Sequence, residues 1–177
     1  MKKIYLIITL VFTTLNGASP QPVFAQNGMV VSTSSQASEA GIQIMKKGGN
    51  AVDAAVVTGF ALAVTSSSNG NIGGGGFMVA RLADGTTFTL DYREIAPAAA
   101  HRDMYLDDNG DVIENMSLRT RAASGVPGTV DGLLKVWADH GSGNISRREL
   151  LAPAIALAEK GFELSHYEAS RFNSYKE

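Results

Sequence analysis

The chain predicts an α+β fold in which helices pack against a small antiparallel sheet, and three observations predict it. The stretch from Ala51 to Val64 is apolar on nearly every face, which marks a helix that either spans a membrane or lies buried at the centre of a protein. It falls short of the roughly 20 residues that a bilayer requires, so burial is expected. Asp84-Gly85 stands between "FMVARLA" and "TTFTLDYRE", and an Asp-Gly pair between such runs is among the strongest short signals of a β-hairpin. Ser146-Arg147-Arg148-Glu149 reads as a capping box, in which serine and glutamate satisfy each other's orphan amides at a helix start. With 177 residues, 45% of them hydrophobic, the chain suffices for one ordinary domain with its own core.

In chain order, the first element expected is a secretory signal. Lys2 and Lys3 precede an apolar stretch from Ile4 to Leu15 and a polar region ending in Val23-Phe24-Ala25, the order of a cleaved export signal. Residues 1–25 are assigned to it, with cleavage after Ala25 and residues 26–177 as the remaining unit. Removing the two lysines leaves 13 basic and 17 acidic residues and takes the net charge from −2 to −4. No basic run offers a nucleic-acid footprint. Without cysteine there is no disulfide framework, thiol nucleophile, Cys-ligated metal or lipid-attachment cysteine. A periplasmic or secreted bacterial protein is expected, with no membrane association once the signal is gone.

"GMVVSTSS" then reads as a first strand. Ala37, Ala40, Ile44 and Lys47 fall at helical spacing, with Gly48-Gly49 as the stop. Asn50 caps the central apolar helix, with Asp53 in its first turn. Small residues dominate that helix, which lets a neighbouring layer approach and favours helix-on-sheet packing. The two hairpin strands follow, the second ended by Pro97, and "HRDMYLDDNGDVIEN" reads as a short helix and a solvated turn. Asp107, Asn109 and Asp111 suggest a calcium loop, but Val112 takes the required glycine position and the closing glutamate is misplaced. A Pro-Gly turn opens a helix from Thr129 to His140, with Leu133, Val136 and Trp137 on one face. The capping box opens the next helix, which Pro153 should kink or restart and Gly161 closes. No element is assigned to "HYEASRFNSYKE".

Chemistry is harder to place. His101, His140 and His166 lack metal-ligand spacing, no serine sits in a nucleophile elbow, and no metal or cofactor is expected. The run Gly73 to Gly76 invites comparison with a phosphate loop, yet no Lys-Ser/Thr follows and the segment leads into a strand rather than a helix. The residues alone leave two uses open, amides turned toward a ligand or close packing of backbones. Arg93, at the end of a strand in a segment suited to burial, could pin a carboxylate through two parallel hydrogen bonds. Its alternative is an internal ion pair with Asp91 or Glu94.

Five segments, "GGNAVDAAV", "GNIGGGGFM", "LDYREIAPAAA", "GVPGTVDGL" and "LAPAIALAEKGF", occur in the order and at the spacing found in the large subunit of the γ-glutamyltransferases, also called γ-glutamyltranspeptidases or glutathione hydrolases. The chain resembles that family from about Gly28 onward. The resemblance implies an N-terminal-nucleophile hydrolase fold, an αββα four-layer sandwich of which this chain carries only the incomplete N-terminal portion. It implies a precursor that cleaves itself, so that a threonine leading the small subunit attacks the γ-glutamyl amide of glutathione. The acyl-enzyme then passes the group to water or to an amino-acid or peptide acceptor.

By the same resemblance Arg93 binds the α-carboxylate of the γ-glutamyl group, and Gly73 to Gly76 are scaffold. The nucleophile and the partner small subunit lie in the family's second half, so no catalytic residue is expected here. Thr120 and Thr129 do not match the nucleophile's position, and the chain by itself is expected to be inactive and poorly stable. Ser66-Ser67 depart from the family, which often carries a charged or histidine residue and then proline. Two other readings are a related acylase with another acyl substrate and a non-catalytic carboxylate-binding remnant.

Overall fold

The computed structural model describes residues 22–176; most of the expected signal, residues 1–21, lies outside the described residues. Helix α1 (Ser35–Lys46) begins where the Ser34 hydroxyl accepts the Ala37 amide and buries Ala37, Ala40, Gly41 and Ile44. Helix α2 (Ala51–Thr65) begins at a full capping box, in which Asn50 accepts from the amides of Val52 and Asp53 while the Asp53 carboxylate accepts from Asn50. Asp53 is completely buried, and the same carboxylate oxygen accepts the Ser142 amide at 3.0 Å. Asn50 meanwhile donates to the His140 carbonyl at 2.8 Å. One helix start is thereby tied to the loop that follows a helix some 90 residues on.

Strands β1 (Phe77–Arg81) and β2 (Thr87–Asp91) pair antiparallel, with Phe77 opposite Asp91 and Arg81 opposite Thr87. At the tip the Asp84 carboxylate accepts the Thr86 amide and Gly85 takes a φ of +89°, the left-handed conformation that glycine adopts without strain. Side chains alternate across the hairpin. Met78, Phe88 and Leu90 pack on the core, whereas Phe77 and Val79 face outward.

Past the hairpin come a long irregular segment, a short helix α3 (Met116–Arg119) and a 3-10 turn at Arg121–Ala123. Helices α4 (Thr129–His140), α5 (Arg147–Lys160) and α6 (His166–Ser174) complete the order. Helix α2 packs on α1, α5 and α4, and α4 on β2. Ile44, Val56, Val57, Val136 and Leu150 form the centre of the core. Phe88 stacks on His140, ring centroids 4.0 Å apart, joining the inner face of the hairpin to the end of α4.

Four expectations are corrected. Residues 28–35 form no strand among the described residues: they have no ladder partner, Ser35 already opens α1, and Val31 is 81% exposed. The segment 101–115 holds turns and an isolated bridge between Leu106 and Val112 rather than a helix, because Asp107 accepts the amides of Asn109 and Asp111 and closes the chain on itself. Of the two effects expected of Pro153, a kink or a restart, the restart does not occur: α5 runs unbroken from Arg147 to Lys160. The unassigned end contains α6, capped by Ser165 accepting from Glu168, a serine-to-glutamate spacing visible in the sequence.

Candidate functional site

The site region forms where three of the five segments meet. At the end of the ladder Gly76 and Tyr92 exchange amide and carbonyl bonds of 3.3 and 3.0 Å. The Gly74 carbonyl accepts the amides of Gly128 and Thr129, the first free donors of α4. Ile95 and Val126 exchange a further pair of backbone bonds. The stretch Tyr92–Glu94 is thus held between the glycine run on one side and the start of α4 on the other.

Glycine is required there for space. A Cβ on Gly75 would stand 2.6 Å from the Arg93 Cα, and one on Gly76 would stand 2.9 Å from the Tyr92 ring. On the opposite side, a Cβ on Gly128 would collide with the Tyr92 carbonyl and one on Gly132 with the Tyr92 Cβ. Gly74 is closed off by the Asn71 side chain, while Gly73 has open space around it. None of the four takes a positive φ. Close packing, one of the two uses the sequence left open, accounts for Gly75, which lies against the backbone of Tyr92–Glu94, and for Gly76, which lies against the Tyr92 ring.

Arg93 itself is exposed, its side chain at 61%, which corrects the expectation of burial: among the described residues the hairpin's outer face carries no covering layer. The Asp91 carboxylate accepts the Arg93 backbone amide at 2.9 Å and does not pair with its guanidinium. Arg93 Nε donates to Glu94 Oε2 at 3.3 Å, and the guanidinium carbon lies 5.7 Å from the centroid of the Phe77 ring, within cation–π range. Among the described residues the guanidinium makes no other hydrogen bond, so its terminal nitrogens stand open. The ion-pair alternative is therefore met only in part, by a solvent-exposed pair with Glu94. The Glu94 carboxyl is held below the usual carboxylate range, first by its own backbone amide and then by Arg93.

Next to this arginine a cleft of about 400 Å³ runs between the end of β2 and α4, lined by Tyr92, Arg93, Val126, Pro127, Asp131 and Lys135, among others. The other residues singled out in the sequence lie elsewhere. Thr120 caps the 3-10 turn, accepting from Ala122, Thr129 is buried at the start of α4, and His140 is stacked on Phe88. "GGNAVDAAV" and "LAPAIALAEKGF" belong to the helical core. Ser66, at the departure from the family pattern, is buried and hydrogen-bonds Glu168 Oε1 at 3.3 Å, so here the loop after α2 is tied to α6. Sequence reasoning did not single out Phe77 or Tyr92. Their adjacency to the glycine run and to Arg93 was visible, but their contacts depend on the hairpin register.

Comparison with known proteins bears on this region as a whole. The family profile described as Gamma-glutamyltranspeptidase matches residues 37–177. A glutathione hydrolase proenzyme of Pseudomonas sp. (strain A14) is 51% identical over 150 residues, covering 85% of this chain and 26% of that protein. The Helicobacter pylori γ-glutamyltranspeptidase crystal structure superposes with a TM-score of 0.81 at 42% identity, over 87% of this chain and 44% of that one. At greater distance, the acylase ACY 1 proenzyme of Pseudomonas sp. (strain V22) is 39% identical over 153 residues, covering 83% of this chain and 27% of that protein. The chain spans about a quarter of the length of these curated relatives.

Proposed function

The chain belongs to the γ-glutamyltranspeptidase family, and from that premise we propose that it is the N-terminal part of the large subunit of a glutathione hydrolase. The complete protein cleaves the γ-glutamyl amide of glutathione and passes the group to water or to an amino-acid or peptide acceptor. In this reading Arg93 holds the α-carboxylate of the γ-glutamyl group. The nucleophile is the threonine that leads the small subunit after self-cleavage: its hydroxyl oxygen attacks the γ-carbonyl carbon, its own amine takes the hydroxyl proton, and the leaving amine is protonated as the amide bond breaks. The small subunit is thus a partner made from the same precursor.

The observation that carries the reading is the Arg93 guanidinium, tied at Nε to Glu94 and laid over Phe77. The two terminal nitrogens left open have the fork geometry that matches a carboxylate. Where the complete protein and its substrate bury the guanidinium, Arg93→Ala should weaken glutathione binding by about 2–5 kcal/mol, the usual cost of removing one partner of a buried hydrogen-bonded charge pair, read as a raised KM. An unchanged KM would remove Arg93 from the site.

Export belongs to the same proposal, with residues 1–25 removed and the product periplasmic or secreted; among the described residues no helix is long and apolar enough to cross a membrane. Sequencing the N-terminus of the exported protein should find Gln26 first. The likeness to an acylase proenzyme favours one second reading, a different acyl group on the same scaffold. Turnover of acyl amides without an α-carboxylate in preference to glutathione would establish that reading instead.

A further inference from the structure

Resting on the reading of Arg93 as the carboxylate anchor, we propose that Tyr92 is a positioning residue: seated in a socket of glycines from two segments distant in sequence, it fixes where the Arg93 guanidinium stands. Arg93 lies beyond the last ladder pair of the hairpin, Phe77 with Asp91, so strand pairing alone leaves its position loose. The nearest restraint is the backbone pair between Tyr92 and Gly76. The rest of the constraint is steric. On the hairpin side Gly75 and Gly76 leave no room for a Cβ, which would meet the Tyr92 carbonyl, the Tyr92 ring and the Arg93 Cα.

From the other side come Gly128, which caps the start of α4, and Gly132, one turn on and hydrogen-bonded to the Gly128 carbonyl. Their approach to Tyr92 is closer than any side chain would permit. Glycine is a poor residue inside a helix, and at position 132 the contact with the Tyr92 Cβ and Cγ supplies a reason for it. Gly73, in the same run, serves as a control, since a Cβ there would meet nothing within 4 Å. A Cβ at any of the four socket positions must move Tyr92 or the Arg93 backbone, and displacements near 1 Å at a binding group are costly in rate.

The test uses the complete, matured protein and two substrates, a γ-glutamyl anilide and the 4-aminobutyryl anilide, identical except that the second lacks the α-carboxylate. The readout is the ratio of their kcat/KM values, because a merely structural loss lowers both values alike and leaves the ratio unchanged. Arg93→Ala should collapse the ratio, and Gly132→Ala and Tyr92→Ala should each lower it by about tenfold or more. Tyr92→Phe, which keeps the ring, should retain it, as should Gly73→Ala. If Gly132→Ala yields no folded protein, Tyr92→Ala decides the matter by the same ratio. A collapsed ratio in Arg93→Ala with a wild-type ratio in Gly132→Ala and Tyr92→Ala would overturn the positioning role while leaving the anchor in place. A wild-type ratio in Arg93→Ala would overturn the anchor and the positioning role together.

Discussion

Helix α2 and strand β1 are both apolar, yet Val52, Val56, Val57 and Ala61 of the helix are at most 4% exposed, while β1 shows Phe77 at 63% and Val79 at 84%. The helix satisfies its own backbone and finds α1, α4 and α5 around it. A strand needs neighbours for its backbone and a layer for each face, and the hairpin has one packed face and two unpaired outer edges among the described residues. The helical layer is finished by devices within reach of each helix. Arg93 sits on the part that is not so finished, held by a backbone junction instead. Stability and site geometry should therefore respond to different substitutions.

The largest effect that could break this separation is in the core. Leu150→Ala empties a site with no exposed surface and should cost about 2–5 kcal/mol, read as a lower urea midpoint of the complete protein with KM for glutathione unchanged. A shifted KM would show that the helical layer and the junction are mechanically one. A smaller loss is expected at the link between α2 and the loop after α4. Asp53→Ala leaves the half-buried amides of Asn50 and Ser142 without their partner, about 1–3 kcal/mol in all because neither is fully shut off from water. Recovery of the midpoint in Asp53→Asn would assign the loss to these hydrogen bonds rather than to charge.

The smallest effect is electrostatic. The Ser146 hydroxyl and amide hold the Glu149 carboxyl below its usual range, so its contribution to stability is present above the ordinary glutamate pKa and fades as the pH falls through the depressed folded value. Ser146→Ala should flatten that part of the acid limb of the stability profile. An unaltered limb would mean that the α5 cap adds nothing measurable.

Much of the helical layer was legible in the sequence because its signals are local. Asn50 with Asp53 and Ser146 with Glu149 close their boxes within one turn, and Gly48-Gly49 ends α1 where expected. Asp84-Gly85 located the hairpin for the same reason. The strand expected at residues 28–35 failed because an apolar burst does not say whether a ladder partner lies beside it. Helix α6 was missed although its cap, Ser165 with Glu168, has the spacing recognised at Ser146. At the site, Arg93 could be named from its position after a strand and from the family resemblance. Its exposure, its pairing with Glu94 and its bed on Phe77 could not, since each depends on which side chains the register and the crossing of distant segments bring together.

By itself the sequence determined helices α1, α2, α4 and α5, the caps of α2 and α5, the hairpin turn and the family, since these rest on spacings of a few residues or on an ordered series of segments. Only the tertiary structure decided the use of the glycines. A residue without a side chain carries no periodicity or charge to read, and its role is defined by what comes close to it. Here that is Tyr92 and the backbone of Arg93, brought between Gly75–Gly76 and Gly128–Gly132 by contacts that span tens of residues.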